Sequence, residues 1–370
     1  MHKYLHIVCL DAPSPPVYGG AIDMYYKVRA LAESGNKIIL HYFDYAKGRN
    51  AAGLESYCSS IHTYKRRSYP RALSLTLPYI VSSRINDVLI KRLNEDPYPI
   101  LFEGLHCTGI VPFLDNPSRV IIRMHNDEAL YYKSLFRSET SFFKKMYFAV
   151  ESKLLKDYQA RLERQVKIAF LSMADKDHFL QLGFKNLFFI PCFVPWTEIQ
   201  AAEGKGAYCL YHGNMAISEN EAAAVWLMEH VFDKPGIPFV IAGNKISAGV
   251  KYAASKLTHV RLVENPTISE MEALVHEAQI NVLPSMNHTG VKLKLLHALF
   301  RGRFCITNPE GVAGSRIDAG VAVAATAESF KSKVHELFHQ PFLQKYADAR
   351  KVSLTLYNNT TNAEKLNALW

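Results

Sequence analysis

Residues 280–307 read INVLPSMNHTGVKLKLLHALFRGRFCIT. A short apolar run ends at Leu283, a loop follows, and an amphipathic helical stretch leads into a second apolar run over residues 304–307. Strand, helix and strand in that order form a crossover unit, which joins parallel strands of one sheet. The same alternation runs outward in both directions. In the first half, strands are predicted over residues 4–10, 37–43, 100–102, 120–123, 168–171 and 187–190. Helical patterns are read over residues 20–34 and over 71–94, the latter broken near Pro78. A long basic helical region covers residues 141–166. Residues 191–206, with Pro191, Pro195, Gly204 and Gly206, have the composition of a linker. Beyond it the alternation restarts, with strands at 208–212, 239–242, 259–262, 280–283 and 304–307. The chain is thus expected to be α/β, with two Rossmann-like doubly wound sheets in series. By the switch-point rule, ligands should sit at the carboxyl ends of the strands, hence in a cleft between the two halves.

Composition agrees with this picture. At 370 residues the chain exceeds one typical domain, and 49% hydrophobic with 21% charged residues is an ordinary globular balance. The formal charge of +9 favours anionic partners: nucleotide diphosphates, anionic lipid surfaces or nucleic acid. No RRM, KH, zinc-finger or helix-turn-helix signature supports the last of these. The six cysteines form no CxxC pair and read as reduced thiols of a cytoplasmic protein, with no metal expected. The apolar start is too short for a signal peptide, and no uninterrupted apolar run of about 18 residues predicts a membrane span.

The chemistry concentrates after Leu283. Gly290 is expected where the helix begins, so that a phosphate can approach free backbone N–H groups and the positive end of the helix dipole. Lys292 and Lys294 add positive charge within about a turn. They oppose the dipole preference, a local cost that a bound diphosphate offsets. A solvated basic helix start is the competing reading. Gly19 and Gly20 lie between the first strand and its helix, where they suit either close approach by a substrate or a tight turn.

The stretch GVKLKLLHALFRGRFCI resembles the donor-binding motif of family 4 retaining glycosyltransferases of the GT-B fold, and PSPPVYGGAIDMYYKV (residues 13–28) resembles their Gly-Gly turn and first helix. The resemblance implies an N-terminal acceptor-side domain over residues 1–195 and a nucleotide-sugar domain over 196–350. It also implies a C-terminal helix over 351–370 that returns to the first domain. It implies transfer of a hexose from a UDP- or GDP-linked sugar to a glycan or lipid-linked acceptor, with retention and without a cofactor or metal. A bacterial surface polysaccharide or glycolipid pathway is the suggested setting, in the cytoplasm or at the inner face of the membrane. Many members carry two glutamates where Thr289 and His297 stand here. His297 can still hydrogen-bond ribose hydroxyls, and Thr289 offers only a hydroxyl to the donor sugar. The usual Arg and Lys after the first strand of the second half are replaced by Asn214 and SENE after Gly213. Gly213, Asn214 and Lys245 are further candidates for the donor.

The run Arg123-Met124-His125-Asn126-Asp127-Glu128 resembles a cleft-facing segment of the same family, with His125 at the donor sugar or reacting centre. Glu103 and His106, after another strand end, join Asn126 as candidates for the acceptor. The basic region from Lys133 to Lys167, interleaved with Phe142, Phe143, Met146, Tyr147 and Phe148, has two readings: an anionic-membrane surface or a solvated helix with its apolar face in the core. Two other functional classes stay open. A nucleotide-sugar epimerase needs acid and base carboxylates that the donor motif lacks. A catalytically degenerate partner subunit would account for the missing glutamates.

Overall fold

The computed structural model describes residues 3–44 and 48–370. The chain divides into two compact units, one of Met1–Lys133, Met146–Pro195 and Leu356–Trp370, the other of Ser134–Lys145 and Trp196–Thr355.

The first unit is built on seven parallel strands: β1 (Lys3–Cys9), β2 (Asn36–Asp44), β3 (Cys58–Lys65), β4 (Ile100–Glu103), β5 (Val120–Met124), β6 (Lys167–Phe170) and β7 (Leu187–Phe189). They lie in the order β3-β2-β1-β4-β5-β6-β7, so the winding reverses between β1 and β4. Central strands of such a sheet are covered on both faces and read as near-continuous apolar runs. In β1, Leu5, Ile7 and Cys9 join one core with Leu40 and Leu101, while Val8 joins the other with Phe43, Phe102 and Ile122. The helix Gly19–Glu33 buries Met24, Val28 and Leu31 at helical spacing. It ends at Ser34, and Gly35, at φ 95°, takes the left-handed conformation that stops it. The last helix, Asn359–Asn367, adds Ala363 and Leu366 to the same core, and the Asn36 amide donates to Asn367 Oδ1 at 2.9 Å.

The second unit carries six parallel strands: β8 (Cys209–His212), β9 (Phe239–Gly243), β10 (Val260–Glu264), β11 (Ile280–Val282), β12 (Phe304–Thr307) and β13 (Ala322–Val323). Their order is β10-β9-β8-β11-β12-β13, with the reversal between β8 and β11. Two strands escape the sequence pattern, and both lie at sheet edges. β3, CSSIHTYK, is half polar, and β13 is two residues long. The expected helix over 71–94 is another difference. Only Tyr79–Ser82 and Asp87–Asn94 are helical, because Pro70 and Pro78 bracket a run of turns.

One buried polar chain crosses the first sheet. Arg92 donates to the Tyr64 hydroxyl at 3.0 Å, that hydroxyl lies 3.0 Å from His41 Nδ1, and His41 Nε2 lies 2.8 Å from His6 Nδ1. His6 Nε2 reaches the Asp96 carboxylate at 3.0 Å. Asp96 only accepts, so His6 carries its proton on Nε2. His6 Nδ1 then accepts from His41, and His41 Nδ1 accepts from Tyr64. Both rings are neutral in this arrangement, and a second proton on either breaks a link. Burial pushes both pKa values down, His41 further than His6; Asp96 opposes the shift at His6, while His6, His62 and Arg92 reinforce it at His41. A lowered folded-state pKa means the stabilisation is complete above the ordinary histidine value, about 6.5, and is lost as pH falls below it. Thermal melts should therefore fall between pH 7.5 and 5.5. A His41→Phe variant should show a shallower slope by up to about 1.4 kcal/mol per pH unit. His106 and His212, also pushed down by burial, supply a residual slope.

Candidate functional site

In the second unit the residues after β11 form a loop locked by its own polar side chains. Asn287 is the hub. Its amide nitrogen donates to one Glu219 carboxylate oxygen, and its Oδ1 accepts from the Thr289 backbone N–H at 3.2 Å and from Lys292 Nζ at 2.6 Å. The Ser134 hydroxyl donates to the other Glu219 oxygen, and Lys292 Nζ also donates to the Thr289 carbonyl. Gly290 does not open the helix as the sequence suggested. Its φ of 65° is left-handed, Lys292 is the N-cap, and the helix runs Leu293–Arg301. A residue with positive φ cannot join a right-handed turn, so the helix starts three residues later.

Lys294 sits differently. Its ammonium lies 3.2 Å from Asn220 Oδ1, 3.4 Å from the Tyr211 hydroxyl and 4.7 Å from the centre of the Tyr211 ring. These partners are neutral, and among the described residues Lys294 makes no ion pair. Burial, reinforced by Lys292 and opposed by Glu219, pushes its pKa down to about 7. A partly buried amine in this setting gains from any anion that enters.

The neighbouring loops are joined through glycine and asparagine. A Cβ on Gly243 would stand 1.8 Å from the Gly213 carbonyl oxygen, so the end of β9 can approach the turn after β8 only as glycine. Asn214 accepts from the Asn220 amide through its carbonyl at 3.0 Å and caps the Ala216 N–H with its side chain at 3.1 Å. Lys245 follows β9 with φ 56° and donates its backbone N–H to Asn265 Oδ1 at 3.1 Å; its side chain is exposed. Asn265, φ 53°, donates in turn to the Gly243 carbonyl. Two non-glycine left-handed residues in one interlock cost about 1–3 kcal/mol each. His297 stacks on Trp196 at 4.8 Å and 13°, and its Nε2 lies 3.0 Å from the Glu272 carboxylate. His212, at the end of β8, presents its ring edgewise to His297 at 5.8 Å.

The first unit carries a charge network at the carboxyl ends of β4 and β5. Lys27 Nζ lies 2.6 Å from Asp23 and 2.7 Å from Glu103, and all three side chains are fully buried. Arg123 reaches the other Asp23 oxygen at 3.2 Å and donates to the Pro191 carbonyl at 2.9 Å. Burial would raise the Asp23 carboxyl, but Arg123 and Lys27 outweigh it and hold the pKa well below the usual range. His125 Nε2 lies 2.8 Å from Glu103 Oε2. Ligand atoms of Asp23, Glu103 and His125 lie within 4.8 Å of one another, and the Lys27 ammonium already supplies the positive charge between the two carboxylates. Gly19 and Gly20 do not form a separate turn with positive φ as the sequence suggested; both lie in the first turn of the helix, of which Gly19 is the first residue, and the far nitrogen of His125, Nδ1, lies 3.7 Å from where a Cβ on Gly20 would stand. His106 Nδ1 is buried and finds no hydrogen-bond partner among the described residues, while the Asn126 amide donates to Glu128 at 3.5 Å. Burial pushes the Glu128 pKa up to about 8.

The structure thus gathers Thr289, Gly290, Lys292, Lys294, Gly213 and Asn214 around the β8–β11 reversal, and Gly20, Glu103, His106, His125 and Asn126 around the β1–β4 reversal. Glu103 is enclosed and engaged by Lys27 and His125, and His297 is engaged by Glu272. Sequence reasoning missed Asn287, Glu219, Asn220, Asp23 and Lys27. Only Asp23 and Lys27 left a signal, their four-residue spacing on a helix.

Residues 206–340 match the family model described as glycosyl transferases group 1. A Klebsiella pneumoniae protein described as an uncharacterized 44.6 kDa protein in the cps region is 28% identical over 333 residues, 85% of each chain. Among solved structures, sucrose-phosphate synthase from Thermosynechococcus elongatus aligns with a TM-score of 0.70 and 13% identity, covering 100% of this chain and 98% of that one. HepE from Anabaena, solved with UDP and glucose, aligns at 0.67 and 10% identity over 99% of both chains. An α,α-trehalose-phosphate synthase (UDP-forming) from Burkholderia vietnamiensis aligns at 0.63 and 12% identity, covering 99% of this chain and 98% of that one. Two Rossmann-like domains of this topology are the GT-B fold, and within the second of them residues 206–340 are similar to the glycosyl transferases group 1 model.

Proposed function

We propose that the protein transfers a hexose from a nucleotide-diphosphate sugar to a glycan or lipid-linked acceptor with retention of configuration. The observation that carries the reading is Lys294: a partly buried ammonium without a carboxylate partner among the described residues, next to the left-handed Gly290 and the Asn287-tethered Lys292. A diphosphate supplies the missing anion. As the bond between the sugar's anomeric carbon and the diphosphate breaks, negative charge grows on the departing oxygen, and fixed cations stabilise it more than they stabilise the ground state. The acceptor oxygen bonds to the same face of the anomeric carbon, and its proton passes to the departing phosphate oxygen. The two lysines provide the charge that a divalent ion would otherwise bring, so the reading needs no metal. Thr289, Gly213, Asn214, Lys245 and His297 are proposed as further donor contacts, and Gly19 and Gly20 as the side-chain-free helix start that admits the substrate. In the first unit His125 is proposed to meet the sugar, with Glu103 acting through it, and His106 and Asn126 to meet the acceptor. The UDP and glucose of HepE and the cps-region description of the Klebsiella relative support a nucleotide-sugar donor and a polysaccharide setting.

One observation favours a second reading, a nucleotide-binding subunit without turnover: threonine and an already engaged histidine stand where the resemblance to family 4 glycosyltransferases implies glutamates. Turnover across a panel of donors and acceptors separates the two, and an epimerase would convert the donor with no acceptor present.

The Lys294→Met variant should keep or raise the melting temperature of the free protein, because an ammonium no longer has to be desolvated. The same variant should lose the thermal shift with UDP or GDP, and its turnover should fall about a hundred- to thousandfold. An equal nucleotide shift in variant and parent contradicts the assignment. Binding of an anion favours the charged amine, so in the parent the dissociation constant should rise as pH climbs from 7 to 9, by up to about tenfold per unit. In Lys294→Met that dependence should vanish. EDTA should leave parental binding unchanged if no divalent ion takes part.

A further inference from the structure

We propose that His212, the last residue of β8, is a further donor-binding residue, with a ring N–H that donates to an oxygen of the nucleoside diphosphate. The identity of that ligand rests on the transfer reading. β8 is a central strand of its sheet and reads CLYH, buried along its whole length, so a histidine closes a run of Cys, Leu and Tyr. Residues 210 and 212 share one face of the sheet. Leu210 lies there in an apolar cluster with Val240, Val275 and Ala278. His212 is only 6% exposed, and its Nε2 finds no hydrogen-bond partner among the described residues. Buried polar atoms are nearly always hydrogen-bonded, so an unpaired ring at the mouth of a sheet calls for a partner from outside the chain.

The surroundings decide what that partner is. Lys294 and His297 stand three residues apart on the helix Leu293–Arg301, and both reach the end of β8. Lys294 Nζ lies 3.4 Å from the Tyr211 hydroxyl, and the His297 ring meets that of His212 at 5.8 Å. His212 therefore adjoins the ammonium assigned to the diphosphate. Burial pushes its pKa well below the ordinary histidine range, and His297 and Lys294 reinforce the shift, so the ring is neutral at pH 7. A neutral imidazole offers one N–H and brings no charge to oppose the Lys294 ammonium. Such a donor suits an anionic oxygen, because hydrogen bonds to charged acceptors are the stronger kind.

The test is calorimetric titration of the full chain with UDP and with GDP, paired with thermal melts of the free protein. His212→Leu is close in volume and removes both nitrogens. It should keep or raise the melting temperature, because an unpaired polar atom leaves the interior. It should also weaken nucleotide binding about ten- to a hundredfold, the range for a hydrogen bond to a charged group. The rise of the dissociation constant with pH should persist in this variant, since Lys294 is untouched. His212→Gln retains an N–H and should bind nearly as tightly as the parent. Equal weakening by leucine and glutamine marks the ring as packing alone and overturns the proposal. A parent that binds neither nucleotide overturns it together with the donor site. A parent that binds, with His212→Leu binding equally well, overturns it alone and leaves the transfer reading standing.

Discussion

An ammonium group taken out of water must recover its hydration from an anion, from neutral dipoles or by losing its proton. The protein holds two lysines, one fully buried and one partly buried, that resolve this demand in opposite ways. Lys27 sits between two buried carboxylates, Asp23 and Glu103, and Arg123 reaches the far side of Asp23. Lys294 has an amide oxygen, a phenol and an aromatic face, and its pKa falls to about 7. The first arrangement is closed and can serve as rigid support. The second is open, and it is the arrangement on which the proposed anion site ahead of the Leu293–Arg301 helix rests.

The closed network gives the first unit a defined task. Its charges hold Glu103 in place, and Glu103 orients His125 so that one ring nitrogen is engaged and the other faces Gly20 at the start of the helix after β1. Replacing any member leaves a charge without its partner, which commonly costs about 3–5 kcal/mol in a buried setting. The open site is rigid for a different reason. Asn287 ties Lys292, Thr289 and Glu219 into one cluster, so the backbone at Gly290 is already shaped before a ligand arrives.

Much of the architecture could be read from the chain because doubly covered parallel strands are apolar throughout. β1, β9 and β12 stand out for that reason, and edge strands such as β3 do not. The clustering of Gly290, Lys292 and Lys294 around the start of one helix was legible because it is local. The contacts of the loop were illegible where partners are distant. Glu219 and Asn287 lie 68 residues apart and carry no shared pattern, and Glu103 meets Lys27 across 76 residues. Gly290 shows a subtler failure. A glycine near a helix start suits both the first turn and the left-handed residue before it, and only backbone angles choose.

The most direct measurement is the titration of Lys294 itself, followed by NMR of its side chain in the free protein and with UDP or GDP bound. The account predicts a pKa near 7 in the free state, as the site geometry gives, and a rise to about 9 or above once a diphosphate supplies the counter-charge. A value at the ordinary lysine figure of about 10.4 in the free protein, or one that stays near 7 when nucleotide is bound, would contradict it.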